Sequence, residues 1–199
     1  MVLAPKPELK RISVPITTRA LNSIGSVWYE YDILGAVTAS AAVSGRNGRK
    51  ITLHSMRFRG NLFGGAVGAG GLDEYYNNVR FVIYGHRATK TGAAITPLGN
   101  AAISGTAPIN NTVLPGLHQV YYDRMIPITN NPYAANNSSP GSVAIDFFHR
   151  WKKPLLVSYT GDTTNYNQYS IYTAAISDSG SVPHPGFGMG YFEVTFYDN

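Results

Sequence analysis

The sequence has 199 residues, which matches the roughly 100–200 residues of one domain, with or without an arm. Charged residues make up only 14% of the chain, against about 25% in an average protein. Gly and Pro occupy 21 and 12 positions. This composition excludes coiled coils, helical bundles and acidic disordered tails, and a hydrophobic fraction of 44% excludes a disordered chain.

The net charge of +5 is a modest excess that suits a polyanionic partner. The absence of cysteine excludes disulfides, cysteine-based zinc sites and thiol nucleophiles. No apolar run approaches the roughly 20 residues of a membrane span, and the first residues lack the apolar segment of a signal peptide. We therefore expect a protein that is neither secreted nor inserted in a membrane.

Residues 1–20 predict an extended, basic N-terminal arm, because they contain three prolines and the basic residues Lys6, Lys10, Arg11 and Arg19. The remainder, residues 21–199, predicts one folded domain. It contains eight short runs rich in Val, Ile, Tyr, Phe and Thr, separated by Gly, Asn, Pro and Ser. The runs are Val27–Leu34, Arg49–Phe63, Val79–Tyr84, His118–Ile126, Val143–Lys152, Leu155–Thr160, Ser170–Ser177 and Gly190–Tyr197.

Alternation of apolar and polar residues predicts that several runs are half-buried strands. In the last run Phe192, Val194 and Phe196 share one face. In the second run the apolar positions change from odd-numbered residues, Ile51 and Leu53, to even-numbered ones, Met56 and Phe58. A β-bulge near residues 54–55 explains this change. The fifth run has an apolar face and an opposite face that becomes basic toward its end, formed by Ala144, Asp146, Phe148, Arg150 and Lys152.

The connections between the runs are unequal in length. Loops at 64–78, 85–117, 127–142 and 178–189 are longer than those of a simple meander or an up-and-down barrel. Eight antiparallel strands joined by several long connections are typical of a jelly roll, in which two sheets face each other. The predicted fold is therefore all-β, an eight-stranded antiparallel jelly-roll sandwich with long loops.

The sequence gives little support for catalysis. Its five histidines are scattered, and it contains no nucleophile motif such as G-x-S-x-G. Asp146 and His149 lie three residues apart on one strand and therefore point to opposite faces. The acidic pair Asp73–Glu74 is better explained as a solvated loop than as a cation site. We predict no enzymatic activity, no cofactor and no metal.

Basic side chains cluster beside aromatic ones around the second run and at the junction of the fifth and sixth runs. Cations interleaved with aromatic rings suit single-stranded nucleic acid, because the cations bind the backbone and the rings stack on bases. A solvated or salt-bridged face explains each cluster equally well, and the aromatic residues of strands usually lie in a core. With those of the arm, the candidate nucleic-acid-binding residues are Lys6, Lys10, Arg11, Arg19, Trp28, Arg46, Arg49, Lys50, Arg57, Arg59, Arg150 and Lys152.

The order of several motifs resembles the capsid proteins of small circular single-stranded DNA viruses that encode a replication initiator, the circovirus-like group. The likeness extends over most of the chain. The motifs are Pro7-Glu-Leu-Lys10, Gly45-Arg-Asn-Gly-Arg-Lys-Ile51, Asn78-Val-Arg-Phe-Val-Ile-Tyr84, His118-Gln-Val-Tyr-Tyr-Asp-Arg124, Phe147-Phe-His-Arg-Trp-Lys-Lys153, Leu155-Leu-Val-Ser-Tyr-Thr160 and Tyr169-Ser-Ile-Tyr-Thr-Ala-Ala-Ile-Ser-Asp178.

This resemblance implies a single jelly-roll shell protein, with strands conventionally named B to I. It implies a T=1 icosahedral particle of about 60 copies around a circular single-stranded DNA genome, with a host-surface receptor as a further partner. Such proteins begin with a long basic arm that binds the genome and directs the protein to the host nucleus, and the arm here is a milder version. The resemblance implies that the basic residues face the interior of the virion.

A carbohydrate-binding, lectin-like module is the alternative from another class, because such modules share the jelly-roll architecture. The Asn- and Tyr-rich segment 162–169 is its candidate site. The two alternatives differ in assembly, since a sugar-binding module forms a monomer or a small oligomer.

Overall fold

The computed structural model describes residues 7–16, 19–20, 29–40, 42, 44–65, 76–87, 118–129, 141–161, 164–179 and 184–198. In these residues no helix has the length and apolar character that a membrane span requires. Their regular structure consists of strands and one short 3-10 helix, Leu34–Ala36. The strands are β1 (Glu8–Ile16), β2 (Arg19–Ala20), β3 (Tyr29–Asp32), β4 (Lys50–Phe63), β5 (Tyr76–His86), β6 (His118–Thr129), β7 (Ser142–Ser158), β8 (Ser170–Ser177) and β9 (Gly186–Asp198).

The described strands form two antiparallel sheets, one in the order β1-β9-β4-β7 and one in the order β3-β8-β5-β6. Short β2 also pairs with β9. If β2 is set aside, the first strand pairs with the eighth, the second with the seventh, the third with the sixth and the fourth with the fifth. Such nested pairing is that of a long hairpin folded into a jelly roll. The predicted fold class is confirmed.

Aromatic side chains from both sheets fill the space between them. Phe58 of β4 lies 4.7 Å from Phe81 of β5, measured between ring centroids. Phe187 of β9 contacts both rings. Phe192 packs against Phe58 from the neighbouring strand. All four are at most 2% exposed, so burial of this cluster holds the two sheets together.

The alternation predicted for the last run is confirmed, because Phe192, Val194 and Phe196 are fully buried. The predicted β-bulge is confirmed as well. The register of β4 shifts between Leu53 and Ser55 against both of its neighbours. The shift moves the inward-facing positions of β4 from Ile51 and Leu53 to Met56 and Phe58, as the change in parity requires.

Two features of the predicted organisation are corrected. Residues 8–16 belong to the sandwich, because β1 pairs with β9 along its whole length and buries Val14 and Ile16. The first jelly-roll strand is therefore β1 and does not lie in the run Val27–Leu34. The fifth and sixth runs are one strand, β7, because both parts pair with β4 across an irregularity opposite the bulge.

A buried ion pair joins the two ends of the chain. The Lys10 ammonium of β1 donates to Asp198 Oδ2 of β9 at 2.9 Å and to the carbonyl of Gly45 at 3.0 Å. The Asp198 carboxylate also accepts hydrogen bonds from the backbone N–H groups of Asn47 and Gly48, at 2.7 and 3.4 Å. The lysine and aspartate side chains are only 2% and 7% exposed. The pair therefore fixes β1, β9 and the segment before β4 in one arrangement.

This arrangement predicts loss of stability in acid. Burial alone would raise the pKa of Asp198, but the hydrogen bonds from Lys10, Asn47 and Gly48 outweigh it and leave this pKa below its ordinary value. A carboxyl group whose pKa is lower in the folded than in the unfolded chain stabilises the fold at pH values above its unfolded-state pKa, which is about 3.9. This stability is lost as the pH falls through the folded-state pKa. In urea unfolding, the stability difference between wild type and Asp198→Asn should shrink below about pH 4. A difference that stays constant from pH 7 to pH 2 would contradict this assignment.

Gly85 of β5 is required by the close approach of Tyr169. A Cβ atom at residue 85 would overlap the phenol ring of Tyr169, whose hydroxyl also bonds to that of Tyr121. Gly85→Ala should therefore lower the free energy of unfolding by about 1–3 kcal/mol, measured in urea. Gly188→Ala is the matched control, because a Cβ atom there meets its nearest neighbour at 3.4 Å and should be accommodated. Equal stabilities of the two variants would refute the packing argument.

Candidate nucleic-acid interface

The outer face of the β1-β9-β4-β7 sheet collects most of the predicted basic residues. Strand register places Arg11, Arg57, Arg59 and Arg150 on this face, with Asp146 and Glu193 as its acidic members. Exposed Lys50 and Lys152 lie at its margin. We call this surface the basic sheet face; its defining residues are Arg11, Lys50, Arg57, Arg59, Asp146, Phe148, Arg150, Lys152, Tyr191, Glu193 and Tyr197.

One carboxylate holds two arginines at the centre of the basic sheet face. Arg57 donates to both oxygens of Asp146, with Nε–Oδ1 at 3.0 Å and Nη2–Oδ2 at 2.7 Å. Arg59 donates from Nε to Asp146 Oδ2 at 3.2 Å and from Nη1 to the hydroxyl of Tyr191 at 3.3 Å. The hydrogen bond with Arg57 lowers the pKa of Asp146 and raises that of Arg57. The two arginines and the carboxylate together carry a single positive charge.

Removal of the Asp146 charge should strengthen binding of a polyanion. Asp146→Asn adds one net positive charge to the face and frees two guanidinium groups for phosphates. We expect the affinity for a single-stranded oligonucleotide to rise several-fold, and its log–log salt dependence to steepen by about one. Fluorescence anisotropy at several salt concentrations measures both quantities. Glu8→Gln is the control, because its exposed carboxylate gives the same change in net charge outside this face. Equal effects of both substitutions would contradict a local role for Asp146.

Aromatic rings lie among these charges. Phe148 of β7 is 60% exposed and lies opposite Arg57 in the register of β4 and β7. The half-buried rings of Tyr191 and Tyr197 lie on the same face of β9. The ring of His54 meets that of Tyr197 edge-on, at 5.7 Å between centroids. The face therefore has both components that sequence-tolerant binding of single strands uses, which are cations and accessible rings.

The remaining predicted site residues are distributed unevenly. Arg49 is exposed just before β4. Arg19 lies in β2, and its backbone pairs with that of Phe187 in β9. Its side chain is not among those that the structure describes. Lys6 and Trp28 lie outside the described residues. Among the predicted residues whose side chains the structure describes, the basic sheet face brings together Arg11, Lys50, Arg57, Arg59, Arg150 and Lys152.

Lys10 and Arg46 are corrections to the predicted site. The Lys10 ammonium is buried in its pair with Asp198 and cannot reach a phosphate outside the sandwich. Arg46 is 1% exposed, and its guanidinium lies 4.2 Å above the centroid of the Tyr159 ring. It also donates to the carbonyls of Gly48 and Gly161. Both cations therefore stabilise the fold from inside.

The tyrosines of the candidate sugar site, segment 162–169, are not accessible to a sugar. Tyr166 and Tyr169 are buried, at 0% and 2% exposure. The hydroxyl of Tyr166 bonds to that of Tyr172, and that of Tyr169 bonds to Tyr121. Rings held in this way present no surface on which a sugar could stack. Asp162 and Thr163 of the same segment lie outside the described residues.

Phe148, Tyr191 and Tyr197 are members of the face that were not among the predicted site residues. A usable signal was present for Phe148, because alternation already placed it on the polar side of its strand, between Asp146 and Arg150. A large aromatic residue on the polar side of a half-buried strand has no core to enter. The two tyrosines carry no comparable signal, since Tyr is common on either side of a strand.

Comparison with known proteins gave structural similarity alone. No protein-family model matches the chain, and no curated protein matches it. The cowpea mosaic virus top component, described as naturally occurring empty particles, is 9% identical with a TM-score of 0.36, covering 100% of this chain and 90% of that one. Desmodium yellow mottle tymovirus is 10% identical with a TM-score of 0.34, covering 100% and 88%.

The VP2 subviral particle of infectious bursal disease virus is 10% identical with a TM-score of 0.31. That similarity covers 99% of this chain and 35% of VP2. The assignment of the jelly roll rests on the strand order and register of the chain itself.

Proposed function

We propose that this chain is a viral capsid protein, whose copies assemble into a closed shell around a single-stranded nucleic acid. The basic sheet face carries the proposal, because one sheet of a jelly roll there presents clustered cations and accessible aromatic rings together. The motifs that resemble capsid proteins of small circular single-stranded DNA viruses support the same function. The proposed role is structural and involves no catalysis.

The finer proposal follows the resemblance. About 60 copies form a T=1 particle around a circular single-stranded DNA genome, with the basic sheet face turned toward the interior. There it neutralises phosphate in a way that depends on salt and not on sequence. Residues 1–7 precede the first sheet strand and add Lys6 as a further interior cation. The protein acts in the virion, with a host-surface receptor and assembly in the host nucleus as parts of the same proposal.

Light scattering on a size-exclusion column tests this function. The expected particle of about 60 copies of the 21.6 kDa chain has a mass of about 1.3 MDa. Its 260/280 nm absorbance ratio should exceed that of pure protein and should survive nuclease and a salt wash. A stable monomer or trimer at every salt concentration and pH would overturn the capsid assignment. Particles without nuclease-resistant nucleic acid would overturn the packaging part.

A further inference from the structure

Phe148 differs from the other aromatic residues of its strand. Phe147 packs against the core, and Trp151 donates to the Tyr121 hydroxyl at 3.1 Å. Phe148 points the opposite way and exposes 60% of its surface. The larger part of its ring therefore remains available to a partner.

The surroundings of Phe148 show what kind of partner fits. Arg57 is its register partner on β4, and Arg150 lies two positions along the same face of β7. Side chains in such positions have Cβ atoms about 5–8 Å apart. This is comparable to the spacing between a base and the phosphates that flank it in an extended single strand. A ring with cations on two sides therefore matches one nucleotide of such a strand.

The same surroundings disfavour a second copy of the chain as the partner. The buried centre of a protein–protein interface is depleted of charged residues. Phe148 is instead bordered by Arg57, Arg150 and Asp146. Burial of this ring against another protein would require desolvation of these charges, whereas a nucleic-acid strand supplies phosphates that pair with the cations.

We propose that Phe148 stacks on an unpaired base of single-stranded nucleic acid while Arg150, which has no partner among the described ion pairs, binds an adjacent phosphate. The proposal rests on the function proposed above and adds to it a residue that selects single strands. In a duplex the faces of the bases are already stacked on one another, so Phe148 has nothing to stack on. The cations bind phosphates of either form.

Binding of two probes to the full-length chain tests the stacking role. The probes are a fluorescein-labelled dT20 strand and a labelled 20-base-pair duplex, each titrated at several salt concentrations. Phe148→Ala should weaken binding of dT20 at least fivefold and change duplex binding less than twofold. The salt dependence should not change, because the cations that bind phosphate are all retained. Phe148→Trp should restore the affinity, and its fluorescence should be quenched by dT20.

Leu156→Ala is the matched control, because Leu156 is an apolar, 44% exposed residue of the same strand and carries no ring. It should bind both probes as the wild type does. Equal losses for dT20 and duplex, or no loss for either, would overturn the stacking role. Lost particle assembly with unchanged dT20 affinity would make Phe148 a contact between copies and would also overturn it.

Particle formation by the wild type separates this inference from the proposed function. If the wild type forms no particle, the capsid function fails whatever Phe148 does. If the wild type assembles and Phe148→Ala still binds dT20 normally, only the stacking role fails.

Discussion

Lys10→Met should lower the free energy of unfolding by about 3 kcal/mol, because it leaves the Asp198 carboxylate buried without its cation. Met has a similar length and retains the apolar contacts of the lysine stem. For a chain of this size the loss corresponds to a decrease in Tm of about 6–12 °C. Urea unfolding followed by circular dichroism measures it, in buffer at pH 7 where Asp198 is ionised.

Two controls make this prediction specific. Arg11→Met removes a cation from the same strand. Arg11 is exposed, and its Nη1 atom lies 3.5 Å from Glu193 Oε2. Because exposed ion pairs contribute little, this variant should lower the free energy of unfolding by less than about 1 kcal/mol. Lys10→Met combined with Asp198→Asn removes both charges and should be more stable than the sum of the two single changes predicts. Additive losses, or equal losses for the Lys10 and Arg11 variants, would show that the pair does not join the ends of the chain.

Arg150→Gln combined with Lys152→Gln should weaken binding of single-stranded nucleic acid about tenfold or more near physiological salt. Neither residue has an acidic partner in the described ion pairs, whereas Arg57 and Arg59 both bond to Asp146 and share its single negative charge. The log–log salt dependence should become shallower by about two, one for each cation that no longer binds a phosphate. Particles of this variant should also contain less nucleic acid, measured by the 260/280 nm absorbance ratio.

Arg87→Gln, compared with Arg150→Gln alone, is the control for total charge. Arg87 is exposed directly after β5 and is not one of the residues of the basic sheet face. The two single variants have the same net charge. If they lose affinity equally, the net charge of the chain governs binding and the basic sheet face has no special role.

The sandwich could be predicted from the sequence because its signals are local. The alternation around Phe192, Val194 and Phe196 and the parity change at residues 54–55 each occupy a few consecutive positions. The sequence does not predict strand β1, because its inward positions include Lys10, and its proline and basic residues are typical of an arm. Only its pairing with β9, at the other end of the chain, makes that segment a strand.

The candidate interface was predicted only in part, for the same reason. The basic residues of β4 and β7 were recognised, but their arrangement depends on cross-strand register, which brings Asp146 to Arg57 across 89 positions of sequence. Burial of Lys10 and Arg46 depends on partners that are distant in sequence, namely Asp198, Tyr159 and Gly161. The sequence alone therefore shows that a residue is basic, but not whether its charge is buried in an ion pair or exposed to a partner.

Cryo-electron microscopy of purified particles shows which face of each subunit borders the packaged material. We expect a closed shell of about 60 copies in which Phe148 and Arg150 line the interior, next to density for nucleic acid. A shell in which the basic sheet face lies on the outer surface or between subunits would show that this face does not bind the packaged nucleic acid. A chain that forms no shell would exclude the capsid function.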